Sequence, residues 1–208
     1  MQYKTEQENF WAGQFGKEYI GRNESESHVV NRMVHFGQIL RSASSVKSII
    51  ELGCNNGMNL QALKRLSPNF ELEALEINPE AAQIARELGI ALVHTQTIAE
   101  PIETGRTYDL TFTSGVLIHI NPNSLIAVYD NLYRLSNRYI LVNEYYNPTP
   151  TVVEYRGNKD RLFKRDFAGE LMDLYSLRLV NYGFFYHRDN YFPRDDSNWF
   201  LLEKNNSY

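Results

Sequence analysis

The chain has 208 residues, 43% hydrophobic and 22% charged, with a formal net charge of -4 and a pI near 5.8. This length and usage suit one domain with a substantial core and exclude wholesale disorder. The acidic balance argues against broad nucleic-acid or membrane-surface binding.

The opening segment, Met1 to Glu8, is charged and polar, without the apolar core of a signal peptide. No apolar run approaches the ~18 residues of a membrane span. Cys54 is the single cysteine, so no internal disulfide can form. A soluble, cytoplasmic protein is expected, folded as one domain over 1–208: an N-terminal helical lid, 1–41, and a core, 42–208. Glu6 to Arg41 reads as helices, with Ser27, His28, Val29, Val30, Met33, Val34, Phe36 and Leu40 at helical spacing.

Strands and helices then alternate. Val46 to Leu52 is the first strand and Met58 to Leu66 the first crossover helix. Leu72 to Ile77 is the second strand. Asn78-Pro79 is a helix start, with Asn as cap and Pro in the first turn, and Gly89 closes that helix. Ile90 to His94 and Tyr108 to Thr113 are the third and fourth strands. Asn121-Pro122 repeats the capping device ahead of an apolar face of Leu125, Val128, Tyr129, Leu132 and Tyr133. Arg138 to Asn143 is the fifth strand. Asn147 to Arg165, polar and basic with Pro148, Pro150 and Gly157, reads as loop. A helix from Asp166 to Tyr175 precedes two last strands, Leu179 to Tyr186 and Trp199 to Glu203. This alternation predicts a doubly wound, Rossmann-like α/β fold, a mostly parallel seven-stranded sheet ending in a C-terminal antiparallel hairpin.

Ligands of such sheets bind beyond the carboxyl ends of the strands. The run Ile49-Ile50-Glu51-Leu52-Gly53-Cys54-Asn55-Asn56-Gly57 is a strand entering a glycine-bearing turn, where bare backbone can approach a nucleoside. Asn55 stands where the commoner pattern has a third glycine, and Asn tolerates positive φ. Glu76, at the tip of the next strand, is in register to accept hydrogen bonds from ribose hydroxyls. Thr97 and Ser114-Gly115-Val116 follow later strands, at positions suited to adenine and methionine contacts, or are ordinary turn residues. His119 and Glu144 are alternative bases for an acceptor hydroxyl, and each could instead be structural. Tyr145 leaves the same strand as Glu144. Arg156, Lys159, Arg161, Lys164 and Arg165 form a basic cluster suited to a phosphate or carboxylate. No histidine pair has metal-ligand spacing, no lysine follows the glycine turn as in a P-loop, and no Gly-x-Ser-x-Gly occurs.

Longer runs narrow the reading: Phe10-Trp11-Ala12-Gly13, Phe15-Gly16, Tyr19-Ile20, Gly115 through Pro122, Glu144 through Pro148, Tyr155-Arg156-Gly157, Asp160 through Glu170, and Tyr186 through Asp189. Over nearly its whole length the chain resembles class I S-adenosylmethionine-dependent methyltransferases, and more narrowly the pseudaminic acid biosynthesis-associated methylases. The resemblance implies S-adenosylmethionine binding at Glu51, Gly53, Gly57, Glu76, Thr97 and Ser114, with Asn55, Ile77, Gly115 and Val116 beside them. Trp11 and Tyr19 would lid the cofactor. Arg156, Arg161, Lys164 and His187 would hold an anionic sugar or sugar nucleotide, with His119, Glu144 or Tyr145 at its hydroxyl. No metal, nucleic acid or membrane partner is expected. A nicotinamide-dependent oxidoreductase and a non-catalytic cofactor-binding scaffold are the competing readings.

Overall fold

Side chains along the central strands alternate between two apolar layers, and this alternation builds the sheet. In the computed structural model, which describes residues 3–21 and 25–205, strands β1 (Ser48–Leu52), β2 (Glu71–Glu76), β3 (Leu92–Thr95), β4 (Tyr108–Ser114) and β5 (Ser136–Glu144) run parallel. Strands β6 (Thr151–Tyr155) and β7 (Asn158–Lys164) pair with each other as a separate antiparallel hairpin. Strands β8 (Arg178–Phe185) and β9 (Ser197–Glu203) complete a seven-stranded sheet of order β3-β2-β1-β4-β5-β9-β8. The expected C-terminal hairpin is present, with its second strand inserted antiparallel between β5 and β8.

The helices are α1 (Glu6–Ala12), α2 (Gln14–Ile20), α3 (Glu26–Leu40), α4 (Met58–Leu66), α5 (Pro79–Glu87), α6 (Leu125–Leu135) and α7 (Phe167–Tyr175). Ile49, Leu110, Phe112, Leu141 and Leu201 meet α3, α4 and α5 in one layer. Ile50, Leu52, Tyr108, Ile140, Val142 and Leu202 meet α6 and α7 in the other. Successive strand residues fall on opposite sides, as a period of two requires, except across the irregularity of β4 between Tyr108 and Leu110, which puts those two residues in different layers. On α3 the inward stripe is Val29, Asn31, His35, Phe36 and Ile39, so Val30 and Val34, expected on the apolar face, are exposed.

Local chemistry sets the boundaries. Asn78 accepts from the amides of Glu80 and Ala81 ahead of Pro79, as its sequence implies, and Gly89 adopts φ +66 just beyond α5. Asn121 caps a short helical turn, Pro122–Ser124, that leads into α6. The expectation of loop over 147–165 is overturned by β6 and β7. Their connection is Arg156-Gly157, with φ of +49 and +79, and Tyr155 pairs with Asn158 across it. Positive φ at both central residues is what a two-residue hairpin turn of the right twist demands. Among β7 residues only Leu162 and Phe163 are buried, so polar composition hid the strand.

Strand β1 gives way to β4 as the crossovers change direction, which opens a crevice at the carboxyl ends of the parallel strands. Gly53 lies there at φ +90, and a Cβ on it would sit 2.7 Å from a Val116 methyl. Gly53→Ala should therefore cost about 2 kcal/mol, a fall of roughly 4–8 °C in Tm. Val116→Ala in the same chain should restore only the steric part of that loss in a thermal melt.

Candidate active site

The crevice encloses about 870 Å³, a size suited to a small-molecule site. Its crest is the turn between β1 and α4. The amides of Gly53 and Cys54 both donate to the Leu75 carbonyl, at 2.8 and 3.0 Å, binding the turn to the end of β2. Asn55 holds φ +48, the left-handed conformation expected for a glycine substitute. Its amide donates to Glu76 Oε2 at 2.7 Å, while the Asn78 amide donates to Oε1 at 2.8 Å. Glu76 is buried at the crest and lines the crevice beside Ile77. Burial pushes its carboxyl up, and these amide bonds oppose that shift. Each oxygen keeps a further lone pair able to accept a hydroxyl.

Glu51 projects from β1 into the layer covered by α3 and α4. Asn59 Nδ2 donates to its Oε1 at 2.6 Å, and its buried Oε2 has no hydrogen-bond partner among the described residues. Burial pushes this carboxyl up to about 8, against the Asn59 bond and the nearby Arg32 charge.

The far side is aromatic. The ring of His119 sits 4.5 Å from that of Trp11 and 4.9 Å from that of Tyr155. Its Nδ1 lies 2.6 Å from the Arg161 carbonyl. A carbonyl only accepts, so Nδ1 carries the proton and Nε2 is left as the acceptor nitrogen. Burial holds the imidazole down to about 4, so it is neutral near pH 7. Trp11 meets Tyr19 edge to face at 5.3 Å, and both line the crevice.

The N-terminal helices are fastened down. Thr97 Oγ1 donates to Glu8 Oε1 at 2.5 Å, Asn78 Nδ2 to the Trp11 carbonyl at 3.0 Å, and Gln7 Nε2 to the Asp160 carbonyl at 3.0 Å. The Thr97 hydroxyl is thus engaged with α1 rather than free for a ligand. Gly115 turns at φ +69, and Ser114 Oγ accepts from Asn143 Nδ2 at 2.9 Å and Arg194 Nη2 at 2.6 Å.

Several expected site residues stand elsewhere. The Glu144 carboxylate, buried and pushed up to about 7 by burial, accepts from the amides of Val116 (3.0 Å) and Ile118 (3.4 Å). It does not line the crevice, and it positions the turn that carries His119. Arg161 Nη2 pairs with Glu6 Oε2 at 3.1 Å, and its guanidinium covers the Phe10 ring at 5.3 Å. Lys164 Nζ lies 5.3 Å from the Tyr145 ring. Neither cation lines the crevice, so the basic cluster divides between β7 and the turn before it. Arg156 does line it, with its guanidinium 5.6 Å from the Tyr155 ring. His187 lies at the exposed rim, its Nδ1 2.8 Å from Asp196. Burial, with Asp195 close by, pushes the Tyr145 phenol up, so it keeps its proton and can orient a ligand but not act as a base near pH 7.

Sequence reasoning missed Glu8, Arg32, Asn59 and Arg194, all lining the crevice. Arg32 had a readable signal: it lies three residues after Val29 and four before Phe36, a charge within the buried stripe of α3.

No family model matches the chain. Malonyl-acyl-carrier-protein O-methyltransferase 1 of Ilyobacter polytropus is 24% identical over 135 residues, 64% of this chain and 48% of that protein. The chain thus spans about half the length of the curated relative it matches. The magnesium protoporphyrin IX methyltransferase of Synechocystis PCC 6803, with bound SAH, superposes with a TM-score of 0.69 at 12% identity, covering 95% of this chain and 97% of that one. The plantazolicin methyltransferase BpumL, in complex with SAH, gives 0.68 at 16% identity over 96% and 94%. The chain has the class I methyltransferase fold.

Glu51 yields a pH prediction for the S-adenosyl donor expected from the sequence. Below its raised pKa of about 8 the free protein holds this carboxyl protonated, so binding an ammonium group there must release a proton. Calorimetric affinity for S-adenosylhomocysteine should weaken by up to ~10-fold per pH unit on acidification from pH 8 to 6. Glu51→Gln should flatten that slope.

Proposed function

We propose that the protein is an S-adenosylmethionine-dependent methyltransferase acting on a hydroxyl of a small anionic acceptor. An acidic or nucleotide-linked sugar of surface-glycan, pseudaminic acid-type synthesis is the acceptor we favour. His119 carries this reading: a neutral imidazole fixed by the Arg161 carbonyl, with an acceptor nitrogen on a ring that lines the crevice. The cofactor reading is supported by Glu51 Oε2, buried without a hydrogen-bond partner among the described residues, and by Glu76, whose carboxylate is presented at the crest by two backbone amides.

A sulfonium donor supplies a methyl group already activated for transfer, so the protein's main task is positioning. Glu76 is placed to accept the ribose diol and Glu51 the ammonium end. The rings of Trp11, Tyr19 and Tyr155 give the acceptor flat walls, and Arg156 at the rim offers a guanidinium fork to its anionic group. His119 Nε2 is placed to take the hydroxyl proton as the new bond forms, with Nδ1–H held on the carbonyl throughout.

Labelled methyl donor and a fractionated pool of sugar nucleotides and acidic sugars test the acceptor, and label in none of them removes that assignment. With an acceptor in hand, His119→Asn should lower kcat by about 10²–10⁴-fold. Its affinity for S-adenosylhomocysteine should stay within about twofold of wild type, because the donor groups assigned above lie elsewhere. An unchanged kcat excludes His119 as the base. Arg156→Ala should raise the acceptor KM about tenfold while kcat changes little.

A further inference from the structure

Strand β8 is an outer strand of the seven-stranded sheet, bonded to β9 on one side and to no strand on the other among the described residues. Its two faces differ. On one, Gly183 lies against the Trp199 indole, where an added Cβ would come within 2.6 Å. On that face Phe185 is buried, and Asn181 Nδ2 donates to Ser42 Oγ at 2.8 Å. The other face, level with Phe200 and Leu202 of β9, presents Leu179, Tyr182 and Phe184, which are 37%, 65% and 54% exposed. Tyr182 stacks on Phe200 with ring centroids 6.3 Å apart, and Tyr146, 40% exposed, approaches the same ring at 5.9 Å. Phe184 meets Tyr186, 45% exposed, at 6.0 Å.

Helix α7 covers this side of the sheet over β5 and β9, which leaves the aromatic face of β8 beyond it. Outer strands are ordinarily protected by charge, proline or a bulge near the middle. Residues 179–186 contain no charged side chain and no proline. The irregularity of β8 lies at its start, between Leu179 and Asn181, and 181–185 pairs regularly with β9. An aromatic side chain has about 150–250 Å² to bury, so the exposed fractions of Tyr146, Tyr182, Phe184 and Tyr186 amount to roughly 400 Å². Two such faces supply about 800 Å². The strand edges and Leu179 bring the total to the ~1,000 Å² that a specific interface must clear.

We infer that β8 is a dimer seam, pairing antiparallel with β8 of a second copy of this chain about a two-fold axis. A two-fold axis sets a strand antiparallel to itself, so each open edge completes the other and the contact closes at two copies. A register centred on Gly183 puts Tyr182 of one copy beside Phe184 of the other, twice, as cross-strand aromatic pairs. The formal charge of -4 on each copy does not oppose this contact directly, because the seam itself is uncharged. Beyond β8 the chain runs into the segment whose His187, Tyr191 and Arg194 line the crevice, so the seam anchors one end of a crevice wall.

Sedimentation of the full chain between about 1 and 100 µM tests it. The wild type should shift from the 24.2 kDa monomer to twice that mass, with a dissociation constant on the order of 10 µM, as suits a small interface. Phe184→Lys should raise that constant at least ~100-fold, since a lysine on an outer strand opposes pairing. Its thermal melt should stay within a few degrees of wild type, because the ring it replaces is more than half exposed. Tyr182→Thr keeps a good strand former, should weaken the dimer about tenfold, and carries the same reading if Phe184→Lys does not fold. Amide exchange in 181–185 should slow as the wild type dimerises. A wild type that stays monomeric at 100 µM overturns the seam and leaves the rings to a different partner. A dimer that both folded variants preserve, or one that forms without slowing exchange in 181–185, overturns it as well.

Discussion

A carboxylate taken out of water must find hydrogen-bond donors, and at the crest of this sheet the donors are backbone amides from two turns. Asn55 and Asn78 both bind Glu76, while Gly53 and Cys54 bind the neighbouring Leu75 carbonyl. These bonds require left-handed backbone at Gly53 and Asn55, and they fix the ends of β1 and β2 against each other. The same device recurs at the end of β5. There Glu144 gathers the amides of Val116 and Ile118 and so holds the turn bearing His119. One buried acid still faces the crevice and the other is sealed. Geometry alone separates a ligand-binding carboxylate from a scaffolding one.

Around this frame the walls are held by polar ties together with the packing of the Trp11 and Phe15 rings on His119 and Tyr155. Helix α1 is joined to the sheet edge through Glu8 and Thr97, and to the β6–β7 hairpin through Gln7. The hairpin in turn supplies the Arg161 carbonyl to His119 and the Tyr155 ring beside it. Short helices of seven residues gain little stability alone, so these contacts set the position of α1 and α2. The acceptor side of the crevice is thus built from segments outside the central sheet, while the donor side is built mostly from strand ends.

That division explains what could be read from the residues. The β1 turn, Glu76 and the Asn78-Pro79 cap follow local rules with few alternatives, and the strand–helix alternation leads to the observed sheet. The hairpin over 151–164 does not announce itself, because charged residues occupy most of its exposed positions and its turn is Arg-Gly rather than Asn-Gly. Arg161 was legible as a cation, yet its backbone carbonyl serves His119 while its guanidinium is taken by Glu6. Glu144 was legible as an acid near the crevice, but which way it faces depends on strand pairing. Arg194 lies far along the chain from Arg32, and the contacts of Asn31 and His35 with the segment before Arg194 help bring them together.

The chain contains two tryptophans, and they occupy opposite environments. Trp199 is sealed in the sheet core, 1% exposed, whereas Trp11 forms part of the crevice wall. Emission from the first is set by the integrity of the fold, and emission from the second by whatever stands beside it. The molecule therefore contains a built-in optical reference and a built-in optical reporter. Selective replacement of either indole by Phe would let occupancy and unfolding be followed separately, without any attached dye.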